Sequence, residues 1–168
     1  MQRIITSLAI ISAICLGILA SGSAPALATS SQPDMSCISD VSVAPLALGK
    51  PSATSDMDLM LLRITFAPGG GIGAHSHPGS LVLSIESGEL EFELMEGEVT
   101  VQRATTDGTP GTVETMQPGD TVTLQPGDSL AEDELIHAAN NTGDEPTVVL
   151  VSALMTTGEP FVQCVEGA

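Results

Sequence analysis

From residue 57 onward the chain is made of short apolar runs separated by turn-forming residues. The clearest alternation lies at 89–94, where Leu90, Phe92 and Leu94 interleave with Glu89, Glu91 and Glu93. Alternate residues of a strand point to opposite faces, so this pattern predicts a sheet with one face in the core and the other in water. The six acids from Glu86 to Glu98 then read as a solvated face rather than a cation site. A strand is predicted over 57–66, ended by Pro68-Gly69-Gly70-Gly71, with others over 81–85, 90–94, 99–103, 113–116, 121–124 and 136–139. Residues 147–154 carry the longest unbroken strand signal, and Phe66 and Phe92 are expected in the core. Useful helical periodicity is confined to the first 28 residues. Roughly eight to ten short strands at regular spacing predict an all-β fold, a closed barrel or a double-sheet sandwich of the jelly-roll kind.

The first 56 residues follow different patterns. Met1-Gln2-Arg3 is positively charged, 4–19 is an almost uncharged apolar run, and Ala26-Leu27-Ala28 offers small residues at the spacing a signal peptidase reads. Cleavage is expected after Ala28, with Ala24-Pro25-Ala26 as a rival site. The apolar core is short for a membrane span and runs into Ser21-Gly22-Ser23 rather than basic residues, which favours export over a retained anchor. Residues 29–56 are rich in Ser, Pro, Ala and Asp, with one apolar patch over 41–48. They read as a flexible arm able to lay one strand on the body of the domain, which then occupies 57–168.

Charge narrows the partners. The 168 residues hold 4 Lys+Arg against 21 Asp+Glu, a net charge of -17. Loss of Arg3 with the leader takes this to -18 on 140 residues, with Lys50, Arg63 and Arg103 as the remaining cations. That length supports one core and no second domain. With so few cations, three Phe and no Tyr or Trp, the chain lacks the basic footprint and stacking rings of a nucleic-acid binder. The acidity also disfavours anionic membrane surfaces, so no stable membrane insertion is expected after processing; metals and small molecules remain as partners. Arg63 is read as pairing with a surface acid. The expected location is extracytoplasmic or secreted, by bacterial export. In that setting Cys37 and Cys164 can form a staple between distant parts of the chain, or remain separate thiols.

The chain has three histidines, two of them in His75-Ser76-His77 between a glycine-rich stretch and Pro78-Gly79. On an extended segment both rings face one side and can converge on one ion. His137 follows Leu135-Ile136 and precedes a turn, as at a strand edge, and would join them from a neighbouring strand. Three neutral imidazoles suit Zn, Cu, Ni or Fe(II), with positions left for water or substrate.

These residues resemble the cupin superfamily. Gly69, five further residues, His75-Ser76-His77-Pro78 and then Gly88 look like its first motif, a glycine, His-x-His, a glutamate three or four residues on and a second glycine. Pro118-Gly119-Asp120, Pro126-Gly127 and the stretch from His137 to Pro146 look like the second, so that the resemblance covers about 57–155. It implies a small jelly-roll β-barrel with a divalent metal inside its mouth, Fe(II) or one of Zn, Mn, Ni and Cu, held by His75, His77 and His137. It also implies a candidate homodimer formed through sheet edges.

Two departures qualify the resemblance. The glutamate slot holds Leu81, with Val82 beside it, so the motif carboxylate is missing. Between Gly127 and His137 the chain carries nine residues, including Glu132-Asp133-Glu134, where the motif has a short step. The simplest reading of this insertion is a solvated bulge; the alternative makes Glu132 or Glu134 a replacement ligand. A three-histidine site is compatible with an Fe(II)-dependent dioxygenase-type oxidoreductase whose specificity rests on an aliphatic, aromatic-poor pocket. It is equally compatible with a non-catalytic module of the same fold that binds a small molecule or a metal.

Overall fold

The computed structural model describes residues 34–107 and 109–166. The expected leader and residues 29–33 of the arm lie outside the described residues. Every regular element among the described residues is a strand: β1 (Ile38–Gly49), β2 (Met57–Ser76), β3 (Gly79–Ser87), β4 (Leu90–Glu96), β5 (Val99–Ala104), β6 (Pro110–Met116), β7 (Thr121–Leu124), β8 (Ser129–Asp133), β9 (Ile136–Asn140), β10 (Thr147–Thr156) and β11 (Gln163–Cys164). No helix among them is long and apolar enough to cross a membrane.

All pairings are antiparallel, in the order β6-β5-β8-β3-β10-β2-β9-β4-β7, with β1 and β11 also pairing β2. Alternation does what it predicts in β4, where Leu90, Phe92 and Leu94 are buried while Glu91, Glu93 and Glu96 are not. The same parity buries Leu81, Leu83 and Ile85 in β3 and Val149, Val151, Ala153 and Met155 in β10. Together with Leu62, Ile64 and Phe66 these inward rows fill one core, giving an all-β, cupin-like jelly-roll barrel.

Strand β2 is longer than its sequence suggests. The stretch from Pro68 to Gly71 was expected to end it; instead the backbone continues through and changes partner, pairing β10 up to Phe66 and β9 from Gly71 onward. The register with β1 jumps from Ser39 opposite Gly71 to Val41 opposite Phe66, so four residues of β2 bulge against Asp40 alone. Gly69 sits there at φ 74, a conformation glycine adopts without strain. Glycines in this run bend one strand from one side of the barrel to the other, which carries the histidine segment to the mouth. Asn141 pins the bend: its buried Nδ2 donates to the carbonyls of Phe66, Ala67 and Glu145 at 2.8–3.2 Å.

Within 29–56, β1 is the strand laid on the body of the domain, running along β2 through ten residue pairs. Cys37, just before β1, is bonded to Cys164 in β11 across 127 residues, with Cα atoms 5.7 Å apart. Arg63 pairs with Glu86 on the surface, Nε to Oε2 at 2.6 Å.

Candidate metal centre

The three histidines meet at one point in the barrel. His75 lies at the end of β2 and His137 in β9, and the two are direct cross-strand partners. His77 follows on the same side after one residue. Ring centroids are 4.2 Å apart for His75 and His137, 5.0 Å for His75 and His77, and 5.5 Å for His77 and His137. Each offers one nitrogen within 4.8 Å of the other two, a cluster able to hold a divalent ion.

Register places a carboxyl opposite the slot where the motif's glutamate is missing. Leu81 is buried against the site, and its partner across the β3–β8 ladder is Glu132. The nine-residue insertion is therefore no solvated bulge. Most of it forms β8, whose Leu130 and Glu132 point inward together by the same period of two. Glu132 is 4% exposed, and its Oε2 stands 3.6 Å from His77 Nε2 and 3.5 Å from His137 Nδ1. Glu134 is excluded from the centre: it is exposed, at φ 53, in the turn between β8 and β9.

Second contacts set the imidazole tautomers. His75 Nδ1–H donates to the Gly73 carbonyl at 2.8 Å and His77 Nδ1–H to the Phe161 carbonyl at 2.7 Å. A carbonyl can only accept, so both rings keep Nε2 free as a lone-pair donor. Burial lowers the pKa of His77 and lowers that of His75 to about 4, where proximity to His77 adds to the effect. His137 is pushed well below the usual imidazole value by burial and by its two histidine neighbours. All three rings are thus neutral near pH 7, the form that ligates. Burial raises Glu132 to about 8, so without an ion it carries a proton and its histidine contacts are not ion pairs.

The donor set fits a cation on a second ground. Glu132 Oε2 and His137 Nδ1 are buried and make no hydrogen bond, although buried polar atoms nearly always find one. An orphaned buried polar atom costs roughly 1–3 kcal/mol. A divalent ion held by His75, His77, His137 and Glu132 would satisfy both.

The space beside the donors is about 30 Å³, walled by Leu81, Leu83, Val149, Val151 and all three phenylalanines of the chain. Phe92 stacks on His137 at 4.7 Å and 19°, and Phe161 lies 4.7 Å from His77. The aromatic-poor pocket expected from composition is therefore wrong in detail: three rings are few for the chain, but they gather here. Phe161 has no motif to announce it. Glu132 could have been found by reading 129–133 as a strand in phase with Leu130.

A bent antiparallel barrel with His75 near the end of one strand, His77 just beyond it and a third histidine on the next strand defines a cupin-like jelly roll with a three-histidine centre. No protein-family model and no curated protein matches the chain. Among solved structures it is similar to the polyketide cyclase RemF from Streptomyces resistomycificus, at 17% identity over 82% of this chain and 78% of that one, with a TM-score of 0.42. It is also similar to KdgF from Halomonas sp., at 19% identity over 68% and 80%, with a TM-score of 0.45. A cupin-2 domain from Rhodospirillum rubrum shares 15% identity over 81% and 72%, again with a TM-score of 0.45. Such likenesses carry no residue-level information, and the site rests on the contacts above.

Proposed function

We propose that the protein is an exported small cupin that holds one divalent metal ion through His75, His77 and His137, with Glu132 as the carboxylate donor from the neighbouring strand. The observation that carries this reading is the pair of orphaned buried atoms, Glu132 Oε2 and His137 Nδ1, facing each other beside neutral imidazoles. Three imidazoles and one carboxylate suit Fe(II), Mn, Ni, Cu or Zn. A bound ion supplies Lewis acidity and, if iron, electrons for oxygen chemistry. The chain's own residues orient the donors, exclude bulk water and hold the Glu132 proton until an ion replaces it. The Cys37–Cys164 bond supports an oxidising compartment, as export requires.

For activity, we favour a dioxygenase-type oxidoreductase acting on a small molecule. The apolar cavity admits a ligand the size of water or dioxygen. Its small volume favours a second reading, a metal-binding module without turnover, because an organic substrate needs more room than the cavity offers. Metal analysis of protein purified without added metal, with His75→Ala, His77→Ala and His137→Ala, tests the centre: metal content should fall in each variant. Unchanged content in all three removes the metal reading. Oxygen uptake by the Fe(II)-loaded protein with small phenols or thiols separates the two activities, and none above that of His137→Ala leaves the module.

A further inference from the structure

The contacts behind two of the three histidines converge on the disulfide. Cys37 accepts the Gly73 N–H on its carbonyl at 2.8 Å, and the Gly73 carbonyl in turn holds His75 Nδ1 at 2.8 Å. On the other side of the bond, Cys164 is the cross-strand partner of His75, and the Val165 N–H donates to the Ala74 carbonyl at 2.9 Å. Three residues before Cys164, Phe161 supplies both the carbonyl that holds His77 and the ring that lies over it.

The segment 157–166 that bears Phe161 and Cys164 crosses the site with little ladder of its own. Strand β11 contributes two residue pairs, Gln163 with Ser76 and Cys164 with His75. Val162 is buried and Thr157 is anchored at the segment's start, its N–H donating to the Asp56 carbonyl at 2.9 Å and its Oγ1 accepting from Lys50 Nζ at 2.8 Å; further along, the covalent bond to Cys37 completes the attachment. His137 differs: β9 is paired on both sides, by β2 and β4, and Phe92 stacks on its ring.

We propose that the Cys37–Cys164 disulfide is a positioning element of the metal centre. It clamps the strap 157–166 beside the site, so that His75 and His77 are held at fixed Nδ1–H tautomers and the Phe161 ring is kept against His77. Without the bond, the strap retains its two-pair ladder and loosens over His77 first, because the His77 acceptor lies on the strap itself. His75 follows more weakly, since its acceptor Gly73 is in β2. His137 keeps its place. This inference rests on the metal reading of the site for its affinity consequence, whereas the tautomer consequence stands without any metal.

The test compares wild type, the double variant Cys37→Ser/Cys164→Ser, and Met116→Ala, a core truncation in β6 that lowers stability without touching the strap. Cobalt(II) is the probe ion, read by its visible d–d spectrum. The double variant should bind cobalt roughly 10–100-fold more weakly, the range for loss of outer contacts to metal ligands, with an altered spectrum. Met116→Ala should bind as wild type does. In metal-free protein, imidazole ¹⁵N shifts should place His75 and His77 as Nδ1–H in wild type. In the double variant His77 should move towards a mixture of tautomers while His137 stays unchanged. If the double variant fails to fold, phosphine reduction of folded wild-type protein gives the same NMR readout. Unchanged cobalt affinity together with an unchanged His77 tautomer would overturn the proposal. If wild type binds no cobalt, the metal reading fails, and the His77 tautomer alone decides whether the disulfide positions the ring.

Discussion

At the residue scale the decisive group is Glu132, a carboxyl buried beside three neutral imidazoles with one oxygen unpaired. Its environment makes sense if an ion belongs there and is a net cost if none does. Replacing it by an apolar residue of similar volume should therefore separate stability from binding. Glu132→Leu is expected to stabilise the metal-free protein by roughly 1–3 kcal/mol in urea unfolding, because it removes an unsatisfied buried polar group. The same variant should bind divalent metal at least about 100-fold more weakly, more than loss of an outer contact would cause. Glu134→Gln should change neither quantity, since Glu134 faces solvent. Equal metal affinity in wild type and Glu132→Leu would remove the carboxylate from the ligand set while leaving the histidines in place.

At the scale of elements, the barrel positions its donors through register and one bent strand. Asn141 holds the carbonyls on the inner side of that bend, so Asn141→Ala should cost about 2–4 kcal/mol, read as a lowered urea midpoint at unchanged slope. Strands with strong alternation were legible from the chain alone: β4, β7 and β10 lie where the pattern put them. The three histidines were legible too, because His75-Ser76-His77 and His137 are rare residues in strand-like surroundings. What could not be read was set by long-range pairing. Pro68 to Gly71 carries every local mark of a turn, and only the change of partner from β10 to β9 turns it into a bend within one strand. Strand β8 is short and acidic, and only its ladder with β3, which sets Glu132 opposite Leu81, turns that carboxyl towards the histidines rather than into a solvated loop. Phe161 reaches His77 because a bond spanning 127 residues brings its segment across the mouth, and nothing local encodes that.

For the whole molecule, burial of four titratable groups in one site makes metal-free stability depend on pH from both sides. The histidines have folded pKa values below 6.5, about 4 for His75, so the unfolded chain binds more protons under pH 6.5 and stability falls as pH drops from there. Glu132 has the opposite sign. Its folded pKa is raised from 4.5 to about 8, so the folded protein binds more protons between those values and stability falls as pH rises through them. Three histidines outweigh one carboxyl where the windows overlap, which puts the maximum of metal-free stability near pH 6.5. Thermal unfolding across pH 4.5–8.5 should show that maximum, and Glu132→Leu should abolish the decline on its alkaline side. The disulfide closes a loop long enough that its loss should cost about 2–5 kcal/mol, measured by chemical denaturation with and without reductant. The most direct test of the metal centre is calorimetric titration of the metal-free protein with a divalent ion at pH 7, in buffers of different ionisation enthalpy. One ion should bind per chain with release of about one proton, that of Glu132; the release should vanish in Glu132→Gln and binding should collapse in His137→Ala. Absence of saturable binding, or binding indifferent to both substitutions, would contradict the account.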